Sequence, residues 1–332
     1  MGWKKIILTL TFCPLLAAAL CTAAFAQELL LGGQAVGIQI STRGVLVAGL
    51  TEIATAEGER CPAGDAGICK GDLIIGVGGR ELDSAQDFVN AVGELDGEPV
   101  TVTVERGGVS GSYTVQPVRS SEGQWMLGMW LRDGISGIGT LTFVDPDSGV
   151  YGALGHSISD SDAELLLPLR EGSISDAEIV SVVPGSSGKP GELNGCADTG
   201  RTLGSVERNT ELGIYGHVFT QIGRVIVETG EMHTGAATII STVNGREAKE
   251  YGAEINRIYN EPEGQRMMLT VTDPELRSMT GGIVQGMSGS PVMQDGKLVG
   301  AVTHVFVSDP AKGFGIGIYD MLETAGIREQ AA

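Results

Sequence analysis

Basic residues are scarce in this 332-residue chain: 22 Lys and Arg against 41 Asp and Glu leave a formal charge of −19. Such a balance repels a phosphate backbone, and no basic stripe offsets it, so nucleic-acid binding is excluded. Only 19% of residues are charged and long charged helical runs are missing, while 51 glycines break the chain into short segments. Short strands joined by tight turns are therefore expected in place of a helical bundle. Histidine occurs four times and cysteine five, and they do not cluster at zinc-ligand spacing, so no metal and no cofactor is expected. Acidity of this kind keeps an exported protein soluble and says little about chemistry. Hydrophobic residues, at 42%, suffice for two ordinary domains with their own cores.

One apolar run stands out, from Ile6 to about Leu20. Lys4 and Lys5 precede it, and Ala24-Phe25-Ala26 follow before Gln27. This is the layout of a secretory signal over residues 1–26, cut after Ala26, and the run is also just long enough to stay as a membrane anchor. Export across a membrane leaves Cys61, Cys69 and Cys196 in the mature chain. The first two could close a loop in an oxidising compartment, or all three could be plain thiols.

From residue 27 to about 120 the alternation of Val36 to Ile40, Gly44 to Val47, Leu73 to Val77, Val100 to Val104 and Gly111 to Val115 predicts strands. Ser84 to Leu95 predicts a helix capped by Ser84, with Phe88, Val89, Val92 and Leu95 on one face. The run Ala66-Gly-Ile-Cys-Lys-Gly-Asp-Leu-Ile-Ile-Gly-Val-Gly-Gly-Arg80 resembles the PDZ signature. The resemblance implies a peptide ligand taken by β-addition, with Gly37, Ile38 and Ile40 at the receiving edge. Residues 121–332 then read as many short strands with few helical patterns, which predicts two packed β-barrels.

The chemistry concentrates in Gly286-Met-Ser-Gly-Ser-Pro291, followed by a hairpin turning at Asp295-Gly296. This resembles the nucleophile loop of chymotrypsin-like serine proteases, which needs a serine on a tight turn whose N–H groups converge on an oxyanion. Ser288 takes the matching position, with Ser290 as the competing hydroxyl, and Gly286 and Ser288 supply the N–H groups. A serine needs a base to take its proton. His156, in Tyr151-Gly-Ala-Leu-Gly-His-Ser-Ile-Ser-Asp160, fits the histidine turn; His304 is an alternative. His217 reads as a partly buried strand residue and His233 as part of a polar turn. Asp273, at a strand end before Pro274, would complete a His, Asp, Ser order, with Asp160 and Asp162 as alternatives.

Taken together, the His156 and Ser288 segments and Gly300-Ala-Val-Thr-His-Val-Phe306 resemble the stage IV sporulation protein B peptidase family, as does the order of PDZ module and peptidase. The resemblance implies an exported serine endopeptidase with His156, Asp273 and Ser288 as its triad. It further implies self-cleavage, and cleavage of a membrane-anchored regulator in the space between forespore and mother-cell membranes, leading to late sigma-factor activation. The competing reading is a PDZ-type adaptor with a silent protease-like domain. A stress-response protease is disfavoured, since that group places PDZ modules after the catalytic domain.

Overall fold

The computed structural model describes residues 27–160, 165–166, 168–223, 225–262 and 264–327. The export signal expected over residues 1–26 lies outside the described residues. The chain is mainly β, as the glycine-rich, alternating sequence predicts.

Two strands open it, β1 (Glu28–Leu31) and β2 (Ala35–Leu50). The PDZ-like unit follows, with β3 (Leu73–Val77), helix α1 (Ala85–Gly93), β4 (Val100–Arg106) and β5 (Val109–Val115). Ser84 caps α1 by accepting from Asp87 N–H, and Phe88, Ala91 and Val92 face inward against Val45, Val47 and Val102. Val89, expected on that face, points to solvent. The Gly71-Asp72 turn is held by Arg106, whose guanidinium pairs with the buried Asp72 carboxylate.

Next come β6 (Met129–Val144), β7 (Val150–Ala153), β8 (Leu169–Val183), β9 (Glu192–Ser205) and β10 (Gly213–His217). Their inward residues join Val36, Ile38 and Ile40 of β2 in one core with Leu141, Tyr151 and Ile174. The remaining strands, β11 (Gly235–Ser241), β12 (Lys249–Glu261), β13 (Gly264–Val271), β14 (Pro291–Gln294), β15 (Lys297–Val305) and β16 (Lys312–Gly317), close a barrel. Helix α2 (Pro274–Thr280) leads from β13 toward the nucleophile loop, and α3 (Ile318–Ala325) packs after β16. Asp295 and Gly296 both adopt positive φ, which turns β14 into β15 as the sequence predicts.

The domain limits differ from the expected 27–120 and 121–332. The first half of β2 pairs along one edge with β6, from Ala35 opposite Thr140 to Ser41 opposite Gly134. Along its other edge it pairs with β8. Residues 28–42 thus belong to the first peptidase sheet, and the PDZ-like unit is inserted between them and β6. Strand β2 serves both units by changing face near Gly44 (φ 84°): Ile38 and Ile40 pack in the peptidase core, Val45 and Val47 in the PDZ-like core.

Candidate active site

A cleft of about 680 Å³ lies where the first peptidase sheet meets the closed barrel. His156 and Ser288 both line it, with His304 and Gly286. His156 arrives from β7 through Leu154 and Gly155, both in the left-handed region at φ 68°. A non-glycine residue such as Leu154 is strained there, a cost that persists only where the surroundings impose it. Here the imposing contact is Gly289, whose missing side chain lets the nucleophile loop press on the histidine turn. A Cβ at Gly289 would stand 2.1 Å from Thr140 O and 2.5 Å from Leu154 N.

The loop itself is clamped from β6. Thr140 donates its N–H to Ser288 O (3.0 Å) and its hydroxyl to Gly286 O (2.9 Å), while Thr142 Oγ1 donates to Gly289 O (2.8 Å). With these carbonyls drawn toward β6, the N–H groups of Gly286 and Ser288 are left without a hydrogen-bond acceptor among the described residues. Gly286 holds φ 97°, which suits glycine. Paired N–H groups of this kind can stabilise an oxyanion.

Ser288 Oγ donates to Thr303 O at 2.6 Å. Ser290 is fully buried and bonds Ser241 Oγ at 3.0 Å, which removes it as a competitor in the cleft. His156 Nδ1 faces Ser157 O at 2.7 Å. A carbonyl only accepts, so Nδ1 carries the proton and Nε2 is the basic nitrogen. Desolvation lowers the His156 pKa, opposed in part by Ser157 O. The ring of His304 lies 4.6 Å from that of His156, tilted 33°. Desolvation, then the neighbouring His156 and Arg266, push His304 down to about 4.

Asp273 departs from its expected place beside the imidazole. It is the N-cap of α2, accepting from Leu276 N–H (3.0 Å) and Gly252 N–H (3.3 Å), and it does not line the cleft. The local signal prevails: Asp followed by Pro at the first helical position is a strong helix start. Of the alternatives, Asp162 and the side chain of Asp160 lie outside the described residues. His217 is exposed and paired with Glu207 (2.8 Å), not part of a core, and His233 pairs with Asp295 (2.9 Å) in its turn.

Gly37, Ile38 and Ile40 cannot receive a peptide by β-addition, because both edges of their strand are already paired. Ile38 instead lines the catalytic cleft and Ile40 is core. Cys61, Cys69 and Cys196 are free thiols. Thr140, Thr142 and the carbonyl of Thr303 carry no motif of their own, and only the three-dimensional packing reveals their contacts.

Comparison with known proteins agrees with this geometry. The profile of the SpoIVB peptidase S55 family matches residues 123–322, and that of a PDZ domain matches residues 53–106. The chain belongs to the SpoIVB peptidase S55 family. It is accordingly a serine endopeptidase with a PDZ domain, as the S55 assignment and the His156 and Ser288 cleft agree. A putative zinc metalloprotease from Agrobacterium fabrum is 34% identical over 106 residues, 32% of this chain and 27% of that protein, so the chain spans about a quarter of that relative. Among solved structures, the active form of the Rv3671c protease from M. tuberculosis is 14% identical, covering 58% of this chain and 75% of that one, with a TM-score of 0.35. The thermostable serine protease AL20, from an extremophilic microorganism, is 10% identical, covering 64% and 95%, also at 0.35. The PDZ domain of an SdrC-like protein from Listeria monocytogenes is 20% identical, covering 28% and 90%, at 0.22.

Proposed function

We propose that this S55 peptidase cleaves peptide bonds with Ser288 as nucleophile, His156 as base, and the N–H groups of Gly286 and Ser288 as oxyanion hole. The observation that carries it is the docking of the nucleophile loop on the histidine turn at Gly289, which brings both side chains into one cleft. Ser288 Oγ rotates from Thr303 O toward His156 Nε2 and loses its proton there as it attacks the substrate carbonyl carbon. The tetrahedral oxyanion is held by the two N–H groups, and imidazolium returns the proton to the departing amine. Water, deprotonated by His156, then releases the acyl group. The Ser157 carbonyl orients the ring in the way a carboxylate does elsewhere. Incubation of the purified chain with an unfolded protein should yield peptides with new amino termini, and the Ser288→Ala variant should yield none.

With Asp273 engaged in capping, Asp273→Ala is expected to cost about 1 kcal/mol of stability, as lost N-caps do, and to leave the pH profile of kcat/KM in place. That profile depends on neutral His156. Because its folded pKa is lowered, activity holds below pH 6.5 before it falls on the acid side. Thermal unfolding and a pH series on both proteins check this. A loss near 10⁴-fold, typical when a triad carboxylate is removed, would restore Asp273 to the triad.

The PDZ domain, in the same reading, takes its peptide along β6. At Trp130 and Leu131 this strand has β2 on one side and no strand on the other among the described residues. Asp133 ties that segment to the start of α1 by accepting from Ala85 N–H (2.7 Å), and Trp130 is 65% exposed. Trp130→Ala should weaken peptide binding at least tenfold by calorimetry, as lost aromatic anchors do; unchanged affinity would move the ligand elsewhere.

Export, self-cleavage and cleavage of a membrane-anchored regulator during sporulation complete the proposal. Family membership and the Lys4 to Ala26 signal layout support them. A chromosomal Ser288→Ala allele should arrest late sigma-factor processing; normal sporulation would remove this role.

A further inference from the structure

The walls of the cleft beside Ser288 are aliphatic. Ile138, Leu154, Ile283, Val284, Val305 and Val307 line it, and among the described residues Glu211 is its single carboxylate and neither Lys nor Arg lines it. Ile283 and Val284 stand just before the nucleophile loop and are each 1% exposed, packed in place and not free to swing.

The position of Ile283 limits depth. Gly313 on β16 sits opposite Val305 on β15, and a Cβ there would lie 2.5 Å from Ile283 Cδ1. The Ile283 side chain therefore fills the space that this glycine leaves. Its backbone is fixed as well, with Ile283 N–H donating to Pro310 O at 2.8 Å and Gly282 pressed on the same carbonyl. Gln285 N–H donates to Gly191 O and Leu193 N–H to Gln285 O, both at 2.9 Å, which pins the far side.

We propose that this cleft receives an aliphatic substrate side chain on the acyl side of the scissile bond, of the size of Val, Leu, Ile or Met, with Ile283 as its floor. The inference rests on the Ser288 reading above. An acidic side chain entering here would lose its water without a partner of opposite sign among the described lining residues and would meet Glu211, while a basic one finds only that exposed carboxylate and leaves the aliphatic walls unfilled. An apolar one is gained at no such cost, and one methylene too many or too few in such a pocket is worth roughly tenfold to two hundredfold in kcat/KM.

Peptidyl diphenyl phosphonates differing only in that side chain test the proposal. Ser288 Oγ displaces phenol from phosphorus, so the labelling rate reads the fit. On the full chain, Val and Leu probes should label at least tenfold faster than Lys and Glu probes. Ile283→Ala should shift preference toward Phe by tenfold or more. Because Ile283 also packs in the barrel core, Val305→Asp on the half-buried wall gives a second reading: aliphatic labelling should fall at least tenfold. Circular dichroism and thermal unfolding of that variant show whether the loss comes from the wall and not from unfolding. Equal or faster labelling by charged probes, with Ser288 labelled by a fluorophosphonate, would overturn the aliphatic cleft alone. A folded chain that no phosphonate labels would overturn the Ser288 reading and the cleft together.

Discussion

Replacing His156 with Ala is expected to lower kcat by about a millionfold, no less than Ser288→Ala, and the double variant should be no worse than either. The reason lies in how the two groups act as one unit. Serine hydroxyl is a poor nucleophile until a base removes its proton, and His156 is the histidine whose Nδ1–H is committed to a backbone carbonyl, leaving Nε2 to accept. Residual activity over water would come from the N–H groups of Gly286 and Ser288, which neither substitution removes. His304 stacks 4.6 Å away, and desolvation, then His156 and Arg266, push its pKa down to about 4, which makes it a weak base. Steady-state kinetics on a common peptide substrate, with circular dichroism to verify folding, measure this. His156→Ala with a loss below about a hundredfold would point to His304 as the base.

Gly289→Ala is the second large effect. Its φ of 92° is in the left-handed region, which costs an Ala about 1 to 2 kcal/mol. The greater obstacle is space, since the new methyl would lie 2.1 Å from Thr140 O and 2.5 Å from Leu154 N. The loop must then lift away from the histidine turn, stretching the Thr140 and Thr142 bonds that aim the Gly286 and Ser288 N–H groups into the cleft. A misplacement of about 1 Å costs roughly a hundredfold, and loss of an oxyanion donor costs about 10² to 10³ in kcat. Their combination should leave less than about a thousandth of wild-type kcat, with a lowered Tm. Retention of a tenth or more would show that the loop does not depend on this contact.

The nucleophile loop was legible in the sequence because its chemistry is local: a glycine on each side of Ser288, a proline after Ser290, and a hairpin turn at Asp295-Gly296. The histidine turn was legible for the same reason. Helix α1 appeared within two residues of its predicted limits, since Ser84 is a strong cap and Phe88 and Val92 repeat at helical spacing. What the sequence obscured was long-range pairing. Residues Val36 to Ile40 alternate like any sheet strand, and alternation does not reveal that β6 and β8, about a hundred residues onward, occupy both edges. The insertion of the PDZ domain between two halves of one peptidase sheet follows from those pairings alone. Chain order suggests Asp273 for a triad, while the Asp-Pro step at the start of α2 specifies the cap that it forms in the structure. Thr140 and Thr142 passed unnoticed because two threonines in a strand carry no catalytic pattern; their hydroxyls matter only through the carbonyls they meet.

The most direct measurement is the rate at which a fluorophosphonate labels the purified chain, mapped by mass spectrometry, in wild type, His156→Ala and Asp273→Ala. The expected result is a label on Ser288, lost with His156 and kept at the wild-type rate without the Asp273 carboxylate. A label on Ser290, or an Asp273→Ala protein that folds but labels no faster than His156→Ala, would contradict the paired His156 and Ser288 site.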